Sequence, residues 1–131
     1  MKSHLIKNES IEIRDTKSHG YGVFAKNEIK KGEMLEECRL IFIPYGHGVE
    51  PLTRYLYPWD PDDPMRYYAL PIGYGSLYNS SGDDPPSVDI EVDEKNQIIQ
   101  YIANKDIKRN DELMMRYAYN HDDSYIISVE N

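Results

Sequence analysis

Cysteine is nearly absent. Cys38 stands alone in 131 residues, so neither an intrachain disulfide nor a CxxC metal or redox pair can form, and a reducing compartment is the expectation. Lying in an apolar run with no adjacent base, Cys38 reads as a buried structural thiol and not as a nucleophile. Long apolar runs are missing as well. None approaches the roughly 18 to 20 residues of a membrane span, and Met1 to Ser10 carries Lys, Glu and His without an apolar stretch, which argues against a secretory leader and a membrane partner. Basic residues are the minority, 15 Lys plus Arg against 23 Asp plus Glu, and the resulting charge of −8 is the opposite of a nucleic-acid-binding footprint. A basic partner suits such a surface, although part of the acidic excess serves solubility alone. The four histidines, His4, His19, His47 and His121, show no zinc spacing, and Asp60, Asp62 and Asp63 lack the ordered ligand series of a calcium loop, so no metal is expected. GxGxxG, GxxxxGK[ST] and GxSxG are absent too, which removes the common nucleotide-cradling loops and the hydrolase elbow.

Tyrosine, by contrast, is abundant, with 12 residues against two Phe and one Trp. Each phenol brings a hydroxyl that needs a partner when buried, so this surplus calls for a use. The length fits one domain, residues 1–131, able to bury roughly two thirds of the surface its unfolded chain exposes. Short alternating or apolar runs between turn residues point to a mainly β chain with few helix signals. Ile11 to Arg14 and Tyr21 to Ala25 read as a hairpin across the Lys17 to Gly20 turn, and Met34 to Ile43 as a longer strand after the Lys30-Lys31-Gly32 turn. Ser87 to Val92 and Ile98 to Ala103 form another hairpin, and Glu112 to Tyr119 a last strand leading to a polar stretch, Asn120 to Ser124. Five prolines between Tyr45 and Pro71 mark a variable insert, within which Leu52 to Tyr57 can form a helical turn or two. An apolar segment from Ile72 to Tyr78 follows it.

Three separated motifs carry the chemistry: Gly20-Tyr21-Gly22-Val23-Phe24-Ala25, Gly73-Tyr74-Gly75-Ser76-Leu77-Tyr78-Asn79-Ser80-Ser81, and Asp111-Glu112-Leu113-Met114-Met115-Arg116-Tyr117. In this order, with a Lys-Gly turn after the first and Ala103-x-x-Asp106-Ile107 before the last, the chain resembles a SET-domain protein lysine methyltransferase from Ile11 to Tyr119. It is similar to the minimal, free-standing members of viral and bacterial type, which lack cysteine-rich zinc modules. The resemblance implies a fold of several small twisted sheets with a pseudoknot-like C-terminal threading, a core over about 11–119 and the insert at about 45–71. It also implies S-adenosylmethionine as cofactor and a lysine of a basic, histone-like protein tail as acceptor. Two copies are then expected to pair, covering the end of the channel where the zinc modules are missing. The location follows from the acceptor: the cytoplasm, or the nucleus where chromatin is methylated.

By the same resemblance, Tyr117 is the catalytic tyrosine, Gly20, Tyr21, Gly22, Asn79, Ser80 and Tyr117 bind the cofactor, and Tyr21, Tyr55, Tyr117, Tyr119 and Tyr125 line the lysine channel. Tyr45, Tyr57, Tyr67, Tyr68 and Tyr101 are left as packing residues. The chain departs from the family where Asn-His-Ser becomes Asn79-Ser80-Ser81 and Pro-Asn becomes Pro86-Ser87, which predicts weaker cofactor binding. A glycine of the family is replaced by Asn110, a residue that tolerates a left-handed backbone, and Arg116 reads as solvent-facing. These departures keep a rival in play, a catalytically weak or inactive SET-fold module that binds basic peptides. Calorimetry with the cofactor separates the two readings.

Overall fold

The computed structural model describes residues 4–18, 20–44, 57–59, 67–116, 118–119 and 125–126, with backbone alone at 58–59, 118–119 and 125–126. Among these residues the structure is built from strands, with no helix. Strands β1 (Ile11–Asp15) and β2 (Tyr21–Ala25) pair antiparallel, Ile11 opposite Ala25 and Asp15 opposite Tyr21. Their turn is fixed locally: the Lys17 N–H donates to Asp15 Oδ1 at 2.8 Å, the Thr16 N–H to the Gly20 carbonyl at 2.8 Å, and Lys17 and Gly20 both take positive φ.

Strand β3 (Met34–Pro44) is the spine, paired on one side with β8 (Ile98–Ala103) and on the other with β5 (Tyr67–Ile72). Strand β7 (Val88–Asp93) forms the expected hairpin with β8. The edge strand β4 (Tyr57–Trp59) pairs with β5. The stretch read as an insert therefore contributes two strands to the main sheet, and Tyr57 opens a strand where a helical turn was expected; Leu52 to Leu56, like Tyr45, lie outside the described residues. The prolines are compatible with this because of where they fall. Pro58 sits on an edge strand, and Pro71 lies beyond Ala69, the last residue that β4 pairs, so on that side its missing N–H breaks no ladder. The segment after Ile72 turns instead of continuing as strand.

Strand β9 (Glu112–Met115) creates the site. It runs antiparallel to β2 and parallel to both β6 (Asn79–Ser80) and β7, and thus lies within the sheet order β1-β2-β9-β7-β8-β3-β5-β4. The two ends of the loop between β6 and β7 clasp its C-terminal end: the Ser81 N–H donates to the Met115 carbonyl at 2.8 Å and the Ser87 N–H to the Met114 carbonyl at 3.0 Å. This is the threading of a late strand beneath an earlier loop. The turn before β9 needs a left-handed residue, and Asn110 supplies it at φ 74°. The expected strand from Glu112 to Tyr119 breaks after Met115, and β10 (Ala118–Tyr119) folds back on β11 (Tyr125–Ile126), with Tyr119 opposite Tyr125. Val23, Ala25, Leu35, Cys38, Ile99, Tyr101 and Leu113 fill the core.

Candidate functional site

The three sequence motifs meet where β2, β6 and β9 adjoin. Asn79 Nδ2 donates to Glu112 Oε2 at 2.7 Å and to the Tyr21 carbonyl at 3.2 Å. Gly22 makes this possible: a Cβ built there would collide with the Glu112 carboxylate and stand 2.8 Å from Asn79 Nδ2. The absent side chain of Gly22 thus leaves room for a hydrogen-bonded pair of the protein itself. Tyr21 contributes its carbonyl to Asn79, while the residue as a whole is 62% exposed. Gly20 closes the preceding turn, and Ser80 Oγ accepts the Gly82 N–H at 3.2 Å, a role in the clasping loop.

Ser87, standing where the resemblance expects Asn, is buried, and its hydroxyl faces β9. Its Oγ accepts the Met114 N–H at 3.1 Å and lies 3.5 Å from the Met114 carbonyl as donor. The Ser81 hydroxyl, also buried, has no hydrogen-bond partner among the described residues. On this side of β9 an open cleft of about 300 Å³ lies between the clasping loop and the turns before β9, with Asp84, Asp106, Asp111 and Glu112 outnumbering Lys105.

Behind the site a buried polar network holds the turn that delivers Asn79. Glu36, 1% exposed, accepts the Tyr74 N–H on Oε2 at 2.8 Å and the Tyr78 hydroxyl on Oε1 at 3.1 Å; Lys7 Nζ reaches Oε2 at 3.2 Å and lies 3.4 Å from the Tyr74 ring centroid. The Tyr78 ring stacks on Tyr101 with centroids 4.6 Å apart. The Tyr57 hydroxyl donates to the Gly75 carbonyl at 2.6 Å and lies 3.0 Å from the Tyr101 hydroxyl. Burial, with Glu36 next in importance, pushes the Tyr78 phenol and the Cys38 thiol above their ordinary ranges; burial and then Tyr57 do the same for Tyr101. These groups are neutral and structural at pH 7.

Of the residues singled out from sequence, the structure brings together Tyr21, Gly22 and Asn79, with Gly20 and Ser80 flanking them. Tyr117 and Tyr55 lie outside the described residues, and of Tyr119 and Tyr125 only the paired backbone is described. Arg116, immediately before Tyr117, is exposed and donates from Nη2 to the Asp84 carbonyl at 3.1 Å. Tyr57 and Tyr101 are core residues, and Tyr67 and Tyr68 are half-buried.

The family model that matches this chain is described as SET domain and spans residues 20–118. The chain belongs to the SET domain family. It is 32% identical over 113 residues to the histone-lysine N-methyltransferase, H3 lysine-37 specific, of Schizosaccharomyces pombe, covering 82% of this chain and 73% of that protein. Among solved structures it is similar to a Plasmodium falciparum protein described as a candidate histone methyltransferase, at a TM-score of 0.67 and 30% identity over 87% of this chain and 97% of that one. The SET domain fold accounts for the threading of β9, and the chain is a protein-lysine methyltransferase.

Sequence reasoning gave no role to three acidic residues of this SET domain, Glu112, Glu36 and Glu37. Glu112 stood inside a quoted motif, and its signal was a carboxylate opening an otherwise apolar strand. Glu36 and Glu37 interrupt the apolar run of β3 in the same way, and both are buried.

Proposed function

We propose that this SET domain transfers methyl groups from S-adenosylmethionine to a lysine of a basic, histone-like protein tail. The observation that carries the reading is the convergence of Gly22, Asn79 and Glu112 beside the strand that leads into Tyr117, in a chain of this family. The residues present suit the cofactor, which carries cationic sulfonium and α-ammonium groups. Asn79 Oδ1 makes no hydrogen bond among the described residues, Glu112 lies beside it, and the buried Ser81 hydroxyl lacks a partner. Gly20, Tyr21, Gly22, Asn79, Ser80 and Tyr117 are the residues that would hold the cofactor. When bound, it supplies a methyl group made electrophilic by the sulfonium.

The chain's own contribution is to hold an uncharged amine in line. A free lysine is protonated at pH 7, and neutralising it costs roughly 4 to 5 kcal/mol from a pKa near 10.4 at about 1.36 kcal/mol per unit. A narrow aromatic channel offsets that cost by desolvating the ammonium, and phenol oxygens fix the direction of its lone pair. In this reading Tyr117 orients the amine and stabilises charge, with Tyr21, Tyr55, Tyr119 and Tyr125 around it; an unperturbed phenol titrates near 10, so at neutral pH it stays protonated and is not the base. The charge of −8 favours a Lys/Arg-rich acceptor. A cytoplasmic location, nuclear where the acceptor is chromatin, and pairing of two copies belong to the same proposal.

The inactive-module alternative rests on Ser80 and Ser87 in place of the family's His and Asn; of these, Ser87 packs against β9 with its hydroxyl bonded to Met114. The deciding experiment is mass-spectrometric detection of methyl-lysine on basic proteins incubated with S-adenosylmethionine. Tyr117→Phe is expected to lose at least a hundredfold in turnover while binding S-adenosylhomocysteine within a few-fold of the parent. Equal turnover removes Tyr117 from the mechanism, and absence of both binding and transfer overturns the reading.

A further inference from the structure

We propose that Glu112 is a positioning residue that sets the polarity of Asn79, turning its amide so that the carbonyl oxygen, and not the NH2 group, faces the cofactor. The inference rests on the lysine methyltransferase reading and adds to it the chemistry of one contact: at Asn79 the site accepts a hydrogen bond, so the cofactor presents an N–H or O–H donor there.

The geometry leaves the amide one orientation. Both neighbours of Nδ2, the Glu112 carboxylate at 2.7 Å and the Tyr21 carbonyl at 3.2 Å, are acceptors only. Turned the other way, Asn79 would set its carbonyl oxygen against two oxygens with no proton between them. Both amide hydrogens are therefore committed to the protein, and Oδ1 is the atom left for a ligand. Glu112 is the stronger of the two anchors, because its hydrogen bond is short and charge-assisted. Gly22 belongs to the same device, since any side chain there would enter the space that Glu112 and Asn79 occupy. Pairing of Phe24 with Glu112 and of Asn79 with Met114 fixes all three on adjoining strands. Asn79 is thus preorganised before the cofactor arrives.

The test is calorimetry of S-adenosylhomocysteine, which binds without turnover, to the full chain and four variants, with melting of the unliganded proteins as a folding control. Glu112→Ala is expected to weaken binding about tenfold, and Glu112→Gln by less than threefold because the Gln carbonyl still accepts from Asn79. Asn79→Asp sets two carboxylates against each other and is expected to weaken binding more than tenfold. Adding Glu112→Gln to Asn79→Asp reverses the donor and acceptor of the pair while leaving an oxygen outward, and should recover at least fivefold. Such rescue is beyond a residue that only fills space. Parental affinity in Glu112→Ala, or losses that simply multiply in the double variant, overturns the proposal and leaves the lysine methyltransferase reading standing. If Glu112→Ala fails to fold, the Gln and Asp variants decide alone. A parent chain that binds no S-adenosylhomocysteine overturns both.

Discussion

Replacing Ser87 with Ala removes one oxygen from the clasp around β9, and its cost can be worked from the contacts. Ser87 is 7% exposed, so water does not readily substitute for its hydroxyl. The Met114 N–H, 3.1 Å away, loses the acceptor it points to, while the backbone bonds from Ser87 N to the Met114 carbonyl and from Asn104 N to the Ser87 carbonyl remain. One unsatisfied buried donor costs about 1 to 3 kcal/mol. With an unfolding entropy near 2.1 cal/mol/K per residue, 131 residues give about 0.28 kcal/mol/K, so the melting midpoint should fall by roughly 4 to 11 °C. Ser81 is the control, because its buried hydroxyl has no partner among the described residues. Ser81→Ala deletes a group that already bears its desolvation cost, and it should melt at or slightly above the parent. The assay is calorimetric or circular-dichroism melting without cofactor at one protein concentration. If Ser87→Ala melts with the parent, or Ser81→Ala melts as low as Ser87→Ala, the assignment of the clasp to the Ser87 hydroxyl is wrong.

Two further outcomes follow from the network behind the site. Lys7→Met leaves the Glu36 carboxylate, 1% exposed, without its cation; since Lys7 is itself 43% exposed the cost is discounted to about 1 to 2 kcal/mol, and adding Glu36→Gln should recover part of it because a neutral amide needs no counter-ion. Thermal melts of the four combinations check this, and a Lys7→Met chain as stable as the parent refutes it. At high pH, Tyr78, Tyr101 and Cys38 keep their protons in the folded chain while the unfolded chain releases them near 10 for the phenols and 9 for the thiol. The unfolded state then binds fewer protons, so stability is fully present below pH 9 and is lost above it, by about 1.4 kcal/mol per pH unit for each group past its unfolded pKa. Urea midpoints that stay flat between pH 8.5 and 11 would contradict that account.

Periodicity found the strands whose two faces differ in solvent exposure. Ser87 to Val92 and Ile98 to Ala103 were legible because burial alternates along β7 and over most of β8, and Tyr21 to Ala25 because a turn bounds β2. Strands β4 and β5 were hidden by Pro58 and Pro71, which read as breakers until the register shows Pro58 on an edge strand and Pro71 past the last residue that β4 pairs. The break after Met115 has a different cause. It depends on where β9 leaves the clasping loop, and that is a contact between segments some thirty residues apart, invisible to any local window. At the site, residue types were readable and their partners were not: Gly22 and Asn79 could be named from their motifs, whereas Glu112 acquires meaning only from the space Gly22 leaves open.

The tyrosine surplus has two different uses in this chain, and the distinction bears on how its substitutions should be read. Tyr57, Tyr78 and Tyr101 are in the core, and their hydroxyls reach the Gly75 carbonyl, each other or the Glu36 carboxylate. A Phe at any of these would keep the packing and strand a polar partner. The Gly73 to Tyr78 turn carrying Asn79 is fastened by these same atoms, through Gly75 and the Tyr74 N–H. Loss of activity in a core Tyr→Phe variant would thus arise through displacement of Asn79 and appear as weaker cofactor binding together with a lower melting midpoint. Loss from Tyr117→Phe, on the proposed mechanism, appears in turnover with binding and melting nearly unchanged. Measuring the three quantities together assigns each tyrosine to the scaffold or to the reaction, which activity alone cannot do.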